Sequence, residues 1–536
     1  MAFVTVMISC CSYPVFSQEK KVTLTGSLNF RSGYQWQDGT IYNYRDPWQW
    51  TIHSDPRLRI GKWIIPMNLQ LGSIENKLLQ PFNRFGTSPR YKWITLHAGY
   101  RNITWSPFTL GGQTFAGGGI EIQPGMLRLG FVAGNFQRSA DGGFVYRANS
   151  PPSFRRPGLA ARVGVGRPGN YVDLIFLRAS DDTTSLVLDP AQPKPEAREN
   201  VVLGSVLRQR IKKYFYLSAD AAFSAITRNL FTDTVQVTDN FLGKDALLDL
   251  FHPRYSSQYA TALRGRLEFR KMGHMMGAQY DRIQPDFASL GAISLLSDVE
   301  RFSLEGRTTM MDQKLIVALS GSGEKNNLLS NKVSTTSRKQ LNAQTQWRQS
   351  AYASYTLAYT AFLIDVDSDT PLSKSLMQSV NASANFRHNE NANRWMMNAG
   401  LNTRRNQLQQ TTDYTSMNVR TACELPIQLR HSITPELSYS MFSVTNSVST
   451  HRISPGATLL LRGTDKTLST TIGVVANLNR TGSSFSSRGL NSVAGITKIF
   501  KKVHSFNLRF VHAFTQANGF ITFQQFRGDF SYSWRF

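Results

Sequence analysis

The sequence of 536 residues predicts an all-β fold: a single large antiparallel transmembrane β-barrel of about 24 strands, within a range of roughly 20 to 26. Three observations predict it. Segments in which apolar and polar residues alternate follow one another along the chain, and the connections between them are short and long in turn. The last segment is a two-faced strand that ends on an aromatic residue. We expect the long connections to be external loops, one of which folds inward.

The final segment, residues 520–536, reads FITFQQFRGDFSYSWRF. Side chains at alternate positions of a strand lie on one face, so Phe530, Tyr532, Trp534 and Phe536 form an aromatic face. This arrangement resembles the C-terminal insertion signal of bacterial outer-membrane barrels. The resemblance implies that the barrel-insertion machinery recognises this strand; the alternative is the last strand of a soluble β-sandwich.

The same alternation recurs from Lys21 onward. Leu263 and Leu267, for example, lie on the face opposite Arg264 and Arg266. No run of about 18 apolar residues occurs, so the sequence predicts no transmembrane helix. A membrane barrel remains compatible with the pattern, because only every second residue of its strands meets lipid.

Connections between the predicted strands support the same fold, because outer-membrane barrels have short periplasmic turns and longer external loops. The alternation of short and long connections fails between Lys92 and Pro124. Gly111, Gly112, Gly117, Gly118 and Gly119 lie there, and we expect the backbone to bulge, bend inward or pack tightly against other parts of the chain. The segments Asn76–Lys92 and Asn229–Tyr255, the latter containing LGKDALLDLF, are candidates for folding into the lumen.

Residues 1–17 are predicted to be a signal peptide, and residues 18–536 the barrel domain. The apolar stretch AFVTVMISCC has the length of a signal-peptide core, although it lacks a basic flank. A lipoprotein signal ending at Cys10 is the alternative. Cleavage after residue 17 would leave Cys423 as the only cysteine, which excludes an intramolecular disulfide. The expected location is the outer membrane, after export through the inner membrane.

Basic residues outnumber acidic residues by 60 to 35, a formal net charge of +25. Such a charge suits nucleic acid, anionic lipid or anionic solutes. The charged residues are spread singly through strand-like segments, so the sequence predicts no nucleic-acid partner.

Six arginines lie on the polar faces of predicted strands. A basic residue facing lipid at mid-bilayer costs roughly 2–4 kcal/mol, so these side chains should face the lumen or lie near an interface. They either form a basic lining that favours anions or pair with acids such as Glu268, Glu300 and Glu305, and the sequence leaves both possibilities open. The candidate lumen-facing residues are Arg264, Arg266, Arg270, Arg301, Arg307 and Arg509.

No catalytic, cofactor-binding or metal-binding motif is recognisable. None of the nine histidines belongs to a metal-binding pattern, and His97 is predicted to be an ordinary wall residue. The segment DVDSDT (365–370) lacks the central glycine and terminal glutamate of a calcium loop. The acidic pair Asp181 and Asp182 is predicted to lie in a solvated turn. We therefore expect a protein that is not an enzyme and has no cofactor.

Three segments resemble a group of Bacteroidota outer-membrane β-barrel proteins of porin-like appearance. They are YQWQDGTIYNYRDPWQWTIHSDPRL (34–58), PFNRFGTSPRYKWITLHAGYRN (81–102) and YDRIQPDFASLGAISLLSDVERFSL (280–304). The resemblance implies a location and a fold, but it identifies no reaction and no functional residue.

These observations lead to two functional hypotheses. The first is a porin-like passive channel with a preference for anions. The alternative is a structural or accessory subunit of an outer-membrane secretion or assembly complex. The expected partners are the lipid of the outer membrane, the barrel-insertion machinery and, under the second hypothesis, other outer-membrane proteins.

Overall fold

The computed structural model describes residues 22–39, 47–73, 83–140, 143–145, 148–150, 152–186, 195–235, 250–292, 295–368, 373–389, 392–408, 413–428, 430–465, 467–517 and 520–536. The strands are β1 (Val22–Thr25), β2 (Ser27–Gly39), β3 (Trp48–Ser54), β4 (Arg57–Ile60), β5 (Trp63–Gly72), β6 (Arg84–Thr87), β7 (Arg90–Tyr91), β8 (Ile94–Thr104), β9 (Gly111–Ile122), β10 (Leu127–Gln137), β11 (Gly143–Val145), β12 (Ala148–Ser150), β13 (Arg156–Arg167), β14 (Asn170–Ser180), β15 (Glu199–Ile211), β16 (Phe215–Thr227), β17 (Ser257–Lys271), β18 (His274–Ile283), β19 (Val299–Met310), β20 (Leu315–Lys325), β21 (Thr335–Arg348), β22 (Ala353–Asp367), β23 (Ser373–Arg387), β24 (Arg394–Asn406), β25 (Tyr414–Gln428), β26 (His431–Val444), β27 (Thr450–Arg462), β28 (Leu468–Thr481), β29 (Ser484–Phe500), β30 (His504–Ala517) and β31 (Phe520–Arg535).

The strands form a closed antiparallel barrel. Its last strand, β31, pairs with β2 from Ser27 opposite Arg535 to Gly39 opposite Phe523, which closes the wall. The main sheet contains 29 hydrogen-bonded segments that make 26 wall strands, because β1/β2, β3/β4 and β6/β7 are each one interrupted strand. The short β11–β12 hairpin is a separate sheet. The predicted fold class is confirmed, and the strand number lies at the upper end of the expected range.

The wall has two chemically different faces, as the alternation predicts. Leu263 and Leu267 in β17 are 45% and 47% exposed, whereas Ala262 and Glu268 on the other face are 2% and 6% exposed. The register keeps each face continuous from strand to strand; Leu263, for example, lies opposite Ala221 of β16. Exposed apolar side chains on one face and buried or polar side chains on the other are typical of a barrel wall in lipid.

The irregular connection between β8 and β9 explains why the predicted alternation of connections failed between Lys92 and Pro124. Residues 105–110 join these two paired strands, and their side chains are among the most buried in the molecule, with Phe108 and Leu110 both 0% exposed. Gly111, which follows them, has no space for a side chain, because a Cβ there would lie 2.9 Å from the Pro107 carbonyl oxygen. The chain therefore bends inward here rather than adding a strand.

Of the two segments predicted to fold inward, Asn76–Lys92 does not do so in its described part, whereas inward folding of Asn229–Tyr255 stays a prediction. In Asn76–Lys92, the stretches Arg84–Thr87 and Arg90–Tyr91 belong to the wall as β6 and β7, because their backbones pair with β5 and β8. The rest of that segment up to residue 82 lies outside the described residues. Most of LGKDALLDLF also lies outside them, since residues 236–249 are not described.

Among the described residues, no helix has both the length and the apolar character needed to span a membrane.

Candidate functional site: the inner wall of the barrel

The face that lines the lumen is identified by the segment 105–110. A Cβ on Gly130 of β10 would lie 2.7 Å from the Trp105 ring, and one on Gly204 of β15 would lie 2.4 Å from Cγ2 of Thr109. On β17, the Arg264 guanidinium lies 5.5 Å from the centre of the Phe108 ring. One six-residue segment can contact strands this far apart only from the concave side of a curved wall. The opposite face, with its exposed apolar side chains, therefore faces outward.

A second segment, 284–292, packs beside the first; we call the two together the covering segments. The rings of Phe108 and Phe287 meet edge to face with centroids 5.9 Å apart. The Ser289 hydroxyl donates a hydrogen bond of 2.6 Å to the Thr109 carbonyl oxygen, and the Gly111 amide donates one of 2.8 Å to the Gly291 carbonyl oxygen. These bonds satisfy buried polar groups that would otherwise lose their hydrogen-bond partners on leaving water.

The covering segments lie on the inner face of β9, β10 and β13–β18, which we call the covered wall. Most of its side chains that meet the covering segments are apolar, and they leave room for those segments to pack against the wall. Asn200 of β15 is fully buried there; its amide oxygen accepts from the Leu290 amide at 3.0 Å and its amide nitrogen donates to the Ala225 carbonyl at 3.0 Å. The apolar members of this layer are Phe115, Val132, Phe136, Ala160, Ile175, Leu177, Val202, Val206, Ala222, Ala260, Ala262 and Ile283.

Next to this apolar layer, arginine and acidic side chains form ion pairs between adjacent strands or across one intervening strand. Arg128 makes two hydrogen bonds to Asp173, of 2.8 and 3.0 Å, and Arg208 makes two to Asp220, of 3.0 and 2.9 Å. Both aspartates are buried, at 2% and 3% exposed. A buried carboxylate requires such partners, because removing a charge from water is costly unless hydrogen bonds and an opposite charge replace it.

Four of the six arginines predicted to face the lumen have carboxylate partners on the inner face. Arg264 contacts Asp281 at 2.5 Å, Arg266 contacts Glu268 at 2.9 Å and also Glu305, and Arg270 contacts Glu268. Arg301 contacts Glu324 of β20 with a bond of 2.8 Å. For these four, the ion-pair alternative holds and their charges are compensated.

The remaining two, Arg307 and Arg509, differ from those four. Both are exposed, and neither has an ion pair among the described residues. Asp529 lies opposite Arg509 in the register, but it contacts Arg527 at 2.8 Å.

Glu300, one of the predicted partners, lies on the outward face with Phe302, where it contacts Lys325 at 3.1 Å.

The inner face of β20–β31, which we call the open wall, has a different composition. In the described residues, the hydrogen bonds, ion pairs and ring contacts of the covering segments do not reach it, and its inward positions carry mostly amides and hydroxyls. Among its inward arginines, Arg404 donates to the Ser375 hydroxyl at 3.2 Å and Arg452 to the Asn479 amide oxygen at 2.6 Å. Inward polar residues of the open wall include Gln340, Asn342, Gln344, Ser379, Asn381, Ser383, Asn398, Asn402, Ser416, Asn418, Ser438, Ser440, Asn477, Asn491 and Asn507.

Arg307, Arg404, Arg452 and Arg509 therefore lie on the lumen side without a carboxylate partner in the described residues; we call them the uncompensated arginines. Neutral hydrogen-bond acceptors orient a guanidinium but leave its charge in place. Sequence reasoning singled out two of the four and missed Arg404 and Arg452. The alternation alone could have found both, because each lies on the polar face of its strand.

The acidic clusters considered from the sequence make ordinary contacts. Asp181 contacts Arg156 at 2.7 Å, and Asp182 contacts Arg155 at 2.5 Å. In DVDSDT, Asp365 contacts Lys374 at 3.5 Å, and positions 369 and 370 lie outside the described residues. Within the described part of the chain, no group of three or more metal-ligating side chains converges.

The aromatic residues of the final strand lie where the alternation predicts. The Phe530 ring is 6.0 Å from the Phe30 ring of β2, across the seam that closes the barrel, and the Tyr532 ring is 4.7 Å from the Phe506 ring. The Trp534 ring is 4.8 Å from the Phe536 ring. Their role in recognition by the insertion machinery stays a prediction.

Comparisons with known proteins give no family. No family model matches the sequence, and no curated protein matches it. Among solved structures, the P pilus usher (PapC) translocation pore is similar with a TM-score of 0.40 and 12% identity, over 95% of this chain and 99% of that chain. OpdQ of Pseudomonas aeruginosa follows with a TM-score of 0.31 and 10% identity, over 96% and 98%. A BenF-like porin from Pseudomonas fluorescens Pf-5 has a TM-score of 0.30 and 10% identity, over 96% and 99%. Similarities this low carry no argument about function, and the resemblance to Bacteroidota proteins stays a prediction.

Proposed function

We propose that this protein is a passive channel of the outer membrane that conducts hydrophilic solutes and prefers anions. The observation that carries the proposal is the open wall: about half of the barrel's inner surface presents amides, hydroxyls and arginines that the described covering segments leave exposed. Amides, hydroxyls and guanidinium groups are favourable where a surface meets water. A surface covered by packed chain carries mostly apolar side chains instead.

The outer surface supports placement in a membrane. Besides the apolar face, the exposed side chains of Trp63 and Trp347 lie beside short turns, and each pairs with a half-buried tyrosine. The rings of Trp63 and Tyr91 are 4.9 Å apart, and those of Trp347 and Tyr355 are 5.5 Å apart. Such aromatic girdles are typical of the membrane interfaces of outer-membrane barrels. Export by means of residues 1–17 stays a prediction, because these residues lie outside the described part of the chain.

The size of the barrel supports an aqueous lumen. Strands spaced about 4.8 Å apart and tilted by about 40° give 26 strands a circumference near 160 Å, so a circular section would be about 50 Å across. Wall side chains cannot fill that width. The covering segments, as far as they are described, lie along one side of it.

The preference for anions rests on the uncompensated arginines. Rings or patches of basic residues in a pore raise the local concentration of anions. Three of the uncompensated arginines, Arg404, Arg452 and Arg509, lie on the open wall, and Arg307 lies on the adjacent strand β19. On the covered wall, by contrast, Asp173, Asp220 and Asp281 compensate the arginines that contact them.

The experiment is planar-bilayer recording of the purified protein in a salt gradient. We expect a steady conductance whose reversal potential lies on the anion side. The triple variant Arg404→Gln, Arg452→Gln, Arg509→Gln should shift that potential towards zero. The matched control is Arg420→Gln with Glu436→Gln, which removes a contacting pair of the open wall without changing the net charge.

Three results would count against the proposal. A correctly folded barrel without conductance would refute the channel. Cation selectivity would refute only the preference for anions. An equal shift in the triple variant and in the neutral control would show that the uncompensated arginines do not set the selectivity. The accessory-subunit hypothesis is not put forward, because no feature of the described residues favours it over a channel.

A further inference from the structure

A cavity of about 370 Å³ opens on the lumen side between β4, β5, β7, β8 and β9, away from the open wall. It lies near the short turns, at the edge of the covered wall that Trp105 reaches. Three arginines from three different strands line it: Arg57 of β4, Arg90 of β7 and Arg101 of β8. The other lining residues are Ile64, Pro66, Ser88, Thr95, His97 and Glu121.

None of the three arginines has an ion pair or a side-chain hydrogen bond among the described residues. Nε of Arg101 is buried and has no hydrogen-bond partner. A buried donor without a partner is unfavourable, and three guanidinium groups around one cavity repel one another. The cavity therefore holds both unused donors and uncompensated positive charge.

The one acid that lines the cavity, Glu121, is already engaged. One of its oxygens accepts hydrogen bonds from Trp105 Nε1 at 2.9 Å and from Arg162 Nη2 at 2.8 Å. The other lies 3.4 Å from Nε2 of His97, whose Nδ1 shares a 2.9 Å hydrogen bond with the Ser88 hydroxyl. Glu121 is thus directed towards Arg162, Trp105 and His97, and it leaves the three arginines without a carboxylate.

We propose that this cavity is a binding site for a small oxyanion carrying at least two negative charges, of the phosphate or dicarboxylate type. Guanidinium groups bind such oxyanions through paired, charge-assisted hydrogen bonds, which chloride cannot reproduce. Arg101 supplies the unused buried donor, and Arg57 and Arg90 supply charge from the more exposed side of the cavity. Ser88 and His97 hold each other in place at its wall.

This site does not depend on whether the barrel conducts. Its test is therefore isothermal titration calorimetry of the folded protein in detergent, with inorganic phosphate, succinate and chloride as separate titrants. We expect saturable binding of phosphate or succinate and none of chloride. The titrant that binds more tightly identifies the class of oxyanion.

The variants Arg101→Gln and Arg57→Gln should each weaken that binding about tenfold or more, as expected for the loss of a charge-assisted hydrogen bond. Arg57 is exposed, so its variant remains informative if Arg101→Gln does not fold. The matched control is Arg59→Gln, which removes the same charge two residues along β4 from an exposed position that does not line the cavity. It should change the affinity less than about twofold, because it tests only long-range electrostatics.

Three outcomes would overturn the proposal: no saturable binding by the unmodified protein, binding of chloride as tight as that of phosphate and succinate, or equal weakening by Arg59→Gln and by the two cavity variants. The last would mean that net positive charge, rather than a built site, attracts the anion.

Discussion

The covered wall and the open wall belong to one continuous sheet, and their outer faces are alike, but their inner faces are opposite in character. Phe108, Val202 and Val206 on the covered side are all 0% exposed, whereas Phe442, on the inner face of β26, is 47% exposed. The difference follows from whether a second layer lies on the strands. A β-sheet face that meets a packed segment needs apolar, closely fitting side chains, and one that meets water does not.

Charge follows the same division. On the covered wall the buried carboxylates hold their arginines in fixed geometry; on the open wall several arginines have only neutral partners. The net charge of +25 is therefore not spread evenly through the lumen. Compensation is required where water is excluded, because an unpaired buried charge is far more costly than an exposed one.

The largest expected effect comes from removing the centre of the covered layer. Phe108→Ala should lower the free energy of unfolding by about 3–5 kcal/mol, because it leaves a cavity between Phe287 and the wall. The matched change in the open wall, Phe442→Ala, should cost about 1 kcal/mol or less, since that ring is already half exposed. Denaturant unfolding followed by tryptophan fluorescence measures both. Equal losses would remove the distinction between the two walls.

A smaller but still large effect is expected from breaking an ion pair. Arg128→Met should lower the free energy of unfolding by about 3 kcal/mol, because it leaves the buried Asp173 carboxylate without its main partner. Arg420→Met, which breaks a more exposed pair with Glu436, should change it by about 1 kcal/mol or less. The same unfolding measurement applies. If Arg420→Met proved as costly as Arg128→Met, the two walls would not differ in how they solvate charge.

The smallest effect tests the fit between the covering segments and the wall, and it should differ in sign between the walls. Gly204→Ala should destabilise by about 1–3 kcal/mol, because its Cβ would lie 2.4 Å from Cγ2 of Thr109. Gly495→Ala, on the inner face of β29, has 3.6 Å to the nearest atom and should be neutral or stabilise by up to about 1 kcal/mol. Thermal unfolding of the two variants side by side measures this. Stabilisation by Gly204→Ala would show that the covering segment is not closely packed at this point.

Much of the fold could be predicted because strand formation in a barrel leaves a local signal. The alternation around Leu263 and Arg264 correctly assigns both side chains to opposite faces, and the same rule places Phe530, Tyr532 and Trp534 on the outer face. The site was harder to predict. Nothing near Arg264 in the sequence marks Asp281 as its partner, since the two meet through the register of neighbouring strands. The contact between 105–110 and 284–292 joins residues about 180 positions apart. The alternation of residues within a strand carries no information about such a contact.

The sequence by itself determined the class of fold, the two-faced wall, the turns and the side of the wall on which each arginine lies. A barrel strand exposes alternate side chains to lipid, so apolar residues recur at every second position of the sequence. Only the tertiary structure decided which arginines are neutralised, which half of the lumen is covered and where three unpaired guanidinium groups share a cavity. Those properties depend on distances between residues remote in the chain, and burial and electrostatic energies are set by such distances rather than by local order.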